Sequence, residues 1–131
     1  MKSNVTVYSS RNFYLLKRHV VVTHRSHRLL VAKVVAPYLA CTVIVAHCYD
    51  DPDAPDYETW WNLFNNWVAR SSNVLLLADM NAAVGSVTST SIGDLAAETE
   101  GQNGARFHRT LLENQFALPT TFMDVLGGHG T

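Results

Sequence analysis

The segment Leu75-Leu76-Leu77-Ala78-Asp79-Met80-Asn81-Ala82-Ala83-Val84-Gly85 runs an unbroken apolar stretch into a carboxylate and a carboxamide two residues apart. A continuous apolar run calls for a covered sheet, and the first polar side chains after it emerge at the strand's end, where α/β proteins place their chemistry. If the extended geometry persists, Asp79 and Asn81 face the same side. A carboxylate beside a carboxamide suits the handling of a water, a metal ion or a phosphate. The same residues also make an ordinary exit from strand to turn, because Asp, Asn and Gly are common loop formers.

Around this segment the chain reads as strand-rich first and mixed later. Residues 4–8, 13–16 and 19–24 are short extended candidates, and 28–35 and 39–47 have the Val, Ile and Thr density of stronger strands. His24-Arg25-Ser26-His27 and Pro37-Tyr38 supply turns. Asp50-Asp51-Pro52-Asp53-Ala54-Pro55 predicts a helix entrance, with acids at the positive end of the dipole and proline in the first turn. The helix is predicted over 56–70, where Trp60, Phe64, Trp67 and Val68 recur at helical spacing and seat one face against a sheet. That aromatic stripe reads as core, since base-stacking platforms sit on open sheets or grooves. A central strand follows at 74–78, then a long acidic loop over 79–101. A second helix is predicted over 104–114, with Asn103 as N-cap and Phe107 and Leu111 facing inward, before 116–122 returns to the sheet. No repeat, low-complexity tract or linker divides the chain, so residues 1–131 are expected to form a single domain of the α/β (α+β) class.

A chain of 131 residues with 47% hydrophobic content can bury a core as one domain. Its net charge of -1 conceals an asymmetry: residues 1–38 carry Lys2, Arg11, Lys17, Arg18, Arg25, Arg28 and Lys33 and no acid. Such a basic third can hold a phosphate backbone, or it can neutralise the acidic remainder across the fold. Cys41 and Cys48 fall on opposite faces of one predicted strand and so do not suit a mutual disulfide, which fits a reducing compartment. Residues 1–16 lack the apolar core and cleavage site of a signal peptide, and the apolar stretch 34–46 is short and broken by Pro37. The expected location is nuclear or cytoplasmic, not secreted, with no membrane partner. The six histidines show no zinc-type spacing; His108 falls on a helix as surface or satisfied core, and His129 lies in a glycine-rich tail.

Several of these segments together resemble the endonuclease/exonuclease/phosphatase superfamily. Members carry a strand ending in Gly-Asp-Phe-Asn or a variant, and this chain reads Ala78-Asp79-Met80-Asn81 with Gly85 beyond it. The family's earlier strand, which ends in an aromatic and a proline-bearing loop, corresponds to Thr42-Val43-Ile44-Val45-Ala46-His47-Cys48-Tyr49-Asp50. Gly101-Gln102-Asn103-Gly104-Ala105-Arg106-Phe107 and Asn114-Gln115-Phe116-Ala117-Leu118-Pro119-Thr120-Thr121-Phe122 look like the endonuclease domains of LINE-type (non-LTR) retrotransposons, which read approximately Asn-Gly-x-Arg-Phe, a helix, then Asn-x-Leu-x-x-x-x-Thr-x-Phe. The resemblance covers about residues 28–131 and implies part of a four-layer α/β/β/α sandwich.

What the resemblance implies about function is metal-dependent hydrolysis of a DNA phosphodiester. Asp79 would orient or deprotonate the attacking water or protonate the leaving oxygen, and Asn81 would hold the phosphate or the ion, with magnesium or manganese held by Asp79 and Asn81. His47 stands where many members have a tyrosine at the scissile phosphate. Some relatives read His-Ala-Pro there, whereas this chain reads His47-Cys48-Tyr49, so either His47 or Tyr49 would steady a non-bridging oxygen. The family's early metal-binding Glu and its late Asp and Asp-His are not assignable, and the resemblance therefore implies the central part of an endonuclease domain, inactive as the isolated chain. DNA, through the basic first third, and a reverse-transcriptase region of the same polyprotein are the implied partners. Other readings are a different phosphoesterase branch of the superfamily and a non-catalytic relic that binds nucleic acid.

Overall fold

The structure, a computed structural model, describes residues 15–122. The extended candidate at 4–8, the first half of that at 13–16, and His129 lie outside the described residues; Leu15 and Leu16 are not in a strand. The described residues group into two compact units, one formed by 15–46 with 66–78 and the other by 47–65 with 79–122.

Among the described residues the first unit is built on four strands in the order β1 (Val20–Arg25), β2 (Leu29–Ala36), β3 (Leu39–His47), β4 (Val74–Asp79). The strands expected at 28–35, 39–47 and 74–78 are thus neighbours. β1 and β2 pair antiparallel, as do β2 and β3, with Ala36 opposite Leu39 across the tight Pro37-Tyr38 turn. β4 runs parallel to β3. Thr42 N–H donates to Asn73 O at 3.1 Å and Cys48 N–H to Asp79 O at 2.9 Å, an equal advance along both chains. The sheet is therefore mixed.

Strand alternation decides the core of this unit. Leu29 and Val31 pair with Ala46 and Ile44, and all four are buried on one face with Thr42. The last turn of α1 (Tyr57–Arg70) brings Trp67 to this side, its ring 5.6 Å from that of His24 on β1, and Val68 beside it is 2% exposed. On the other face Ala32 and Val34 are buried, while Val22, Val45, Leu75 and Leu77 are exposed.

Among the described residues β4 stands last in the strand order and is not the central strand expected from its apolar run. Leu75 and Leu77 are 53% and 50% exposed. A run of leucines makes both faces of a strand apolar, but it carries no information on which face finds a cover.

The second unit holds the first turns of α1, the 79–101 loop and α2 (Gln102–Glu113). Tyr57, Trp60, Trp61 and Phe64 are all buried. Trp60 stacks on Phe64 at 5.1 Å and Trp61 meets Phe64 edge-on at 5.8 Å; such pairs add about 0.5–1.5 kcal/mol each to the burial of their area. The expected aromatic core of α1 is present, enlarged by Tyr57 and Trp61 from its flank. In α2, Phe107 and Leu111 face inward as expected. The helix begins earlier than predicted, however, with Gly101 as N-cap and Asn103 buried inside the first turn.

Residues 116–122 form no strand. They end in a 3-10 turn, Pro119–Thr121, and bond to the 89–95 loop: Leu118 N–H to Ser91 O at 2.8 Å, Leu95 N–H to Thr121 O at 3.0 Å, and Gly93 N–H to Thr121 Oγ1 at 2.8 Å. Pro119 has no N–H to give a ladder, which favours the turn. Among the described residues no helix is long and apolar enough to cross a membrane.

Candidate functional site

Within the second unit, residues 47–49 and 79–81, the exits of β3 and β4, lie side by side and are tied together by Asn81 and Asn103, the latter bonded to Tyr57. The Cys48 N–H to Asp79 O bond is the last rung. Past it Asn81 adopts φ 46°, a left-handed conformation that Asn tolerates better than most residues. Asp79 Oδ1 accepts the Asn81 N–H at 3.1 Å, closing an Asx turn, and Asn81 Nδ2 donates to Cys48 O at 2.8 Å.

The buried Asn103 then binds both strand exits. Its Nδ2 donates to Tyr49 O at 2.8 Å and to Asn81 O at 3.2 Å, and its Oδ1 accepts the Tyr57 hydroxyl at 2.5 Å. Asn103 is 6% exposed and Tyr57 1%, so these bonds form where an unmade bond would cost about 1–3 kcal/mol per group. The four residues singled out from the sequence are thereby brought together at the strand ends. Burial alternates along both exits: Met80 and Cys48 are buried, Asp79, Asn81 and His47 are exposed and Tyr49 is half-buried. Asp79 and Asn81 accordingly keep to the solvent side of Met80, and His47 and Tyr49 to that of Cys48.

The donor set is one of hard oxygens. Asp79 Oδ1 is engaged by the Asn81 amide, leaving Oδ2, and the Asn81 carboxamide bonds through its nitrogen, leaving Oδ1. One carboxylate and one amide oxygen suit magnesium, which commonly keeps several waters and uses one or two carboxylates plus substrate phosphate. Among the described residues no three His, Cys, Asp or Glu side chains gather as a metal cage. Asp51, in the nearby loop, is occupied as a turn former, its Oδ1 accepting Asp53 N–H at 2.9 Å.

The Asn103-Gly104-Ala105-Arg106-Phe107 segment supports this arrangement from α2. Gly104 lies against the Ala83 carbonyl, where a Cβ would collide with backbone. Arg106 bonds Glu58 at 2.7 Å and lies over the Tyr57 and Trp61 rings at 5.1 and 5.6 Å. The hydrogen bond that Arg106 donates to Glu58 pushes the Arg106 pKa up from the ordinary guanidinium value. Phe107 is core.

One polar cluster was invisible to the spacing of residues. Ser89 Oγ bonds His108 Nε2 at 2.7 Å, and His108 Nδ1 bonds Glu100 Oε2 at 3.0 Å, in the order of a hydrolytic triad. The serine is nonetheless saturated. Its oxygen also accepts the N–H groups of Ser91 at 3.0 Å and Ile92 at 3.3 Å, so both lone pairs of the hydroxyl are engaged in holding the loop. His108, 5% exposed, is thus the satisfied core histidine of the two roles expected for it, and the cluster pins the 89–100 loop to α2. No protein-family model matches the chain, and no match is found among curated proteins or solved structures.

Proposed function

We propose that this chain carries the central part of a metal-dependent DNA endonuclease domain of retrotransposon type, with its phosphodiester site at the joined ends of β3 and β4. The observation that supports this reading most is the pair of bonds from Cys48 N–H to Asp79 O and from Asn81 Nδ2 to Cys48 O, which hold residues 47–49 beside 79–81. Asp79, through Oδ2, would either transfer the proton or help hold the ion, Asn81, through Oδ1, would hold either the phosphate or the ion, and His47 or Tyr49 donates to a non-bridging oxygen. Magnesium, when bound by Asp79 and Asn81, supplies charge neutralisation on the phosphate. A four-layer sandwich is supported by the exposed apolar face of Val22, Val45, Leu75 and Leu77, a surface that a further layer would cover. DNA as partner is supported by Lys17, Arg18, Arg25 and Lys33, all exposed and without an ion pair among the described residues.

A non-catalytic nucleic-acid-binding role is the second reading. It is favoured by the local duties of the two side chains, Asp79 holding its own turn and Asn81 holding the Cys48 carbonyl. Titration of a duplex oligonucleotide with and without magnesium separates the two. The endonuclease reading expects magnesium to tighten binding and Asp79→Ala to erase that gain; equal binding with and without the ion in both proteins overturns it.

A further inference from the structure

We propose that the cavity between the end of α1 and the sheet of the first unit is a binding site for a phosphate ester. The cavity has a volume of about 340 Å³ and is lined by Lys33, Thr42, Trp67, Arg70 and Ser72, with Thr23 and Ser71 at its wall. This inference uses none of the residues assigned to the phosphodiester site (His47, Tyr49, Asp79 and Asn81) and shares only Lys33 with the cations assigned to DNA.

Its chemistry is one-sided. Two cations line it, and among the described residues neither Lys33 nor Arg70 makes an ion pair and no Asp or Glu contributes to the wall. Arg70 is held with its guanidinium carbon 3.6 Å from the centre of the Trp67 ring. Stacking uses the face of the guanidinium and leaves its N–H groups, which lie in the plane, available to an oxyanion. Lys33 adds a point charge from β2, on the face of the sheet that also carries Thr42, its cross-strand partner.

Unmade hydrogen bonds point the same way. The Trp67 indole Nε1 is buried and without a partner, as is Nε2 of His24, whose ring lies against it. The indole N–H is a donor and calls for an acceptor, whereas the His24 nitrogen is donor or acceptor according to its tautomer. Thr23 and Ser71 have already spent their protons, on Val31 O at 3.2 Å and Trp67 O at 2.5 Å, so the donors left to a ligand are Arg70, Lys33, the Trp67 N–H and the hydroxyls of Thr42 and Ser72. A cation-rich set of donors matches a dense group of acceptors bearing negative charge, which is a phosphate. The space exceeds a bare ion: at about 30 Å³ per water it equals on the order of ten waters, room for a phosphate with the sugar or glycerol it esterifies.

The test follows the indole N–H resonance of Trp67, assigned with Trp67→Phe, in the full chain titrated with inorganic phosphate, glycerol phosphate and a single-stranded deoxythymidine oligonucleotide at constant ionic strength. A saturable shift of Trp67 is expected, with the Trp60 and Trp61 signals as internal references. K33Q and R70Q, at exposed positions, are each expected to weaken the dissociation constant by about tenfold or more, and R70K by less, since it keeps charge without the fork. Should R70Q disturb the packing on Trp67, K33Q and R70K still carry the test. Saturation by the oligonucleotide at lower phosphate-group concentration than by glycerol phosphate assigns a strand backbone as the source; the reverse assigns a small monoester. The proposal is overturned if none of the three probes shifts Trp67 saturably, or if K33Q and R70Q leave the titration unchanged.

Discussion

Asn81 reaches back from the exit of β4 to Cys48 at the exit of β3, its Nδ2 donating to the Cys48 carbonyl at 2.8 Å. The bond needs Asn81 at φ 46°, and that conformation is held by the Asp79 carboxylate on the Asn81 N–H. The two polar residues of the Asp-x-Asn pair therefore shape the loop they were expected to serve. A residue at this position must tolerate a left-handed backbone, carry a donor and leave an acceptor outward, and Asn meets all three conditions.

Substitution of Asn81 separates the conformational part from the bonding part. Asn81→Ala loses the bond to Cys48 and strains the backbone, an expected loss of about 1–3 kcal/mol. Asn81→Gly loses the bond but relieves the backbone, and its cost is expected to be smaller. Urea unfolding of the two variants ranks them; equal costs would mean that the left-handed conformation contributes nothing.

Asn103 offers a sharper test because its three bonds lie in the interior. Asn103→Ala is expected to cost about 2–4 kcal/mol, and Tyr57→Phe about 1–2, the unpaired-acceptor penalty at Asn103 Oδ1. The double variant should cost less than the two single losses together, since the Tyr57 hydroxyl has no purpose once Asn103 is gone. Additive losses in chemical denaturation would show that the 2.5 Å contact is energetically idle.

The fold was most legible where a periodic pattern met a single demand. The bounds of β3 and α1 follow from Val, Ile and Thr density in one and from aromatic spacing after an acidic, proline-bearing entrance in the other. Asn103 was misread because Asn is a favoured N-cap, and that local preference lost to a buried position with three tertiary partners. The exposure of Leu75 and Leu77 on β4 was illegible because composition cannot say which apolar face is covered. At the candidate site the nearness of 47–49 to 79–81 was legible from motifs, but the duty of Asn81 to Cys48 was not, since a side-chain bond to a carbonyl leaves no signature at the acceptor residue.

Gly104 gives a prediction in which the expected sign reverses. Glycine to alanine inside a helix normally gains up to about 1 kcal/mol. Here the new Cβ would overlap the Ala83 carbonyl oxygen, which is backbone and cannot swing aside. Gly104→Ala is expected to destabilise by about 1–3 kcal/mol, as overpacking does. Gly101→Ala, with open space around it, is the control, and a smaller change in its thermal melt is expected.

The Ser89, His108 and Glu100 cluster is predicted to stabilise and not to catalyse. Ser89→Ala removes a donor to His108 and an acceptor for two amides, and a loss of about 1–3 kcal/mol is expected. Hydrolysis of an activated ester such as p-nitrophenyl acetate should be no faster with the native chain than with Ser89→Ala. A serine-dependent burst of nitrophenol would show that the two amides release the hydroxyl in solution.

Nicking of supercoiled plasmid tests the candidate site where it is weakest. Asp79 and Asn81 bring one formal negative charge to magnesium, and among the described residues no cluster of three acidic or His or Cys ligands supplements them. Catalytic groups that act as a unit lose most of the rate when members are lacking, so the purified chain is expected to nick slowly or not at all with magnesium or manganese. Binding should nevertheless be measurable and salt-sensitive, with Lys17, Arg18, Arg25 and Lys33 giving a slope of about -3 to -4 in log affinity against log salt. Gel-shift titrations across ionic strength read that slope, and quadruple substitution of the four cations should flatten it. Fast nicking abolished by Asp79→Ala would reverse the rate expectation and place a fuller set of ligands around Asp79, with Asp50, Asp51 and Glu100 the residues to substitute next.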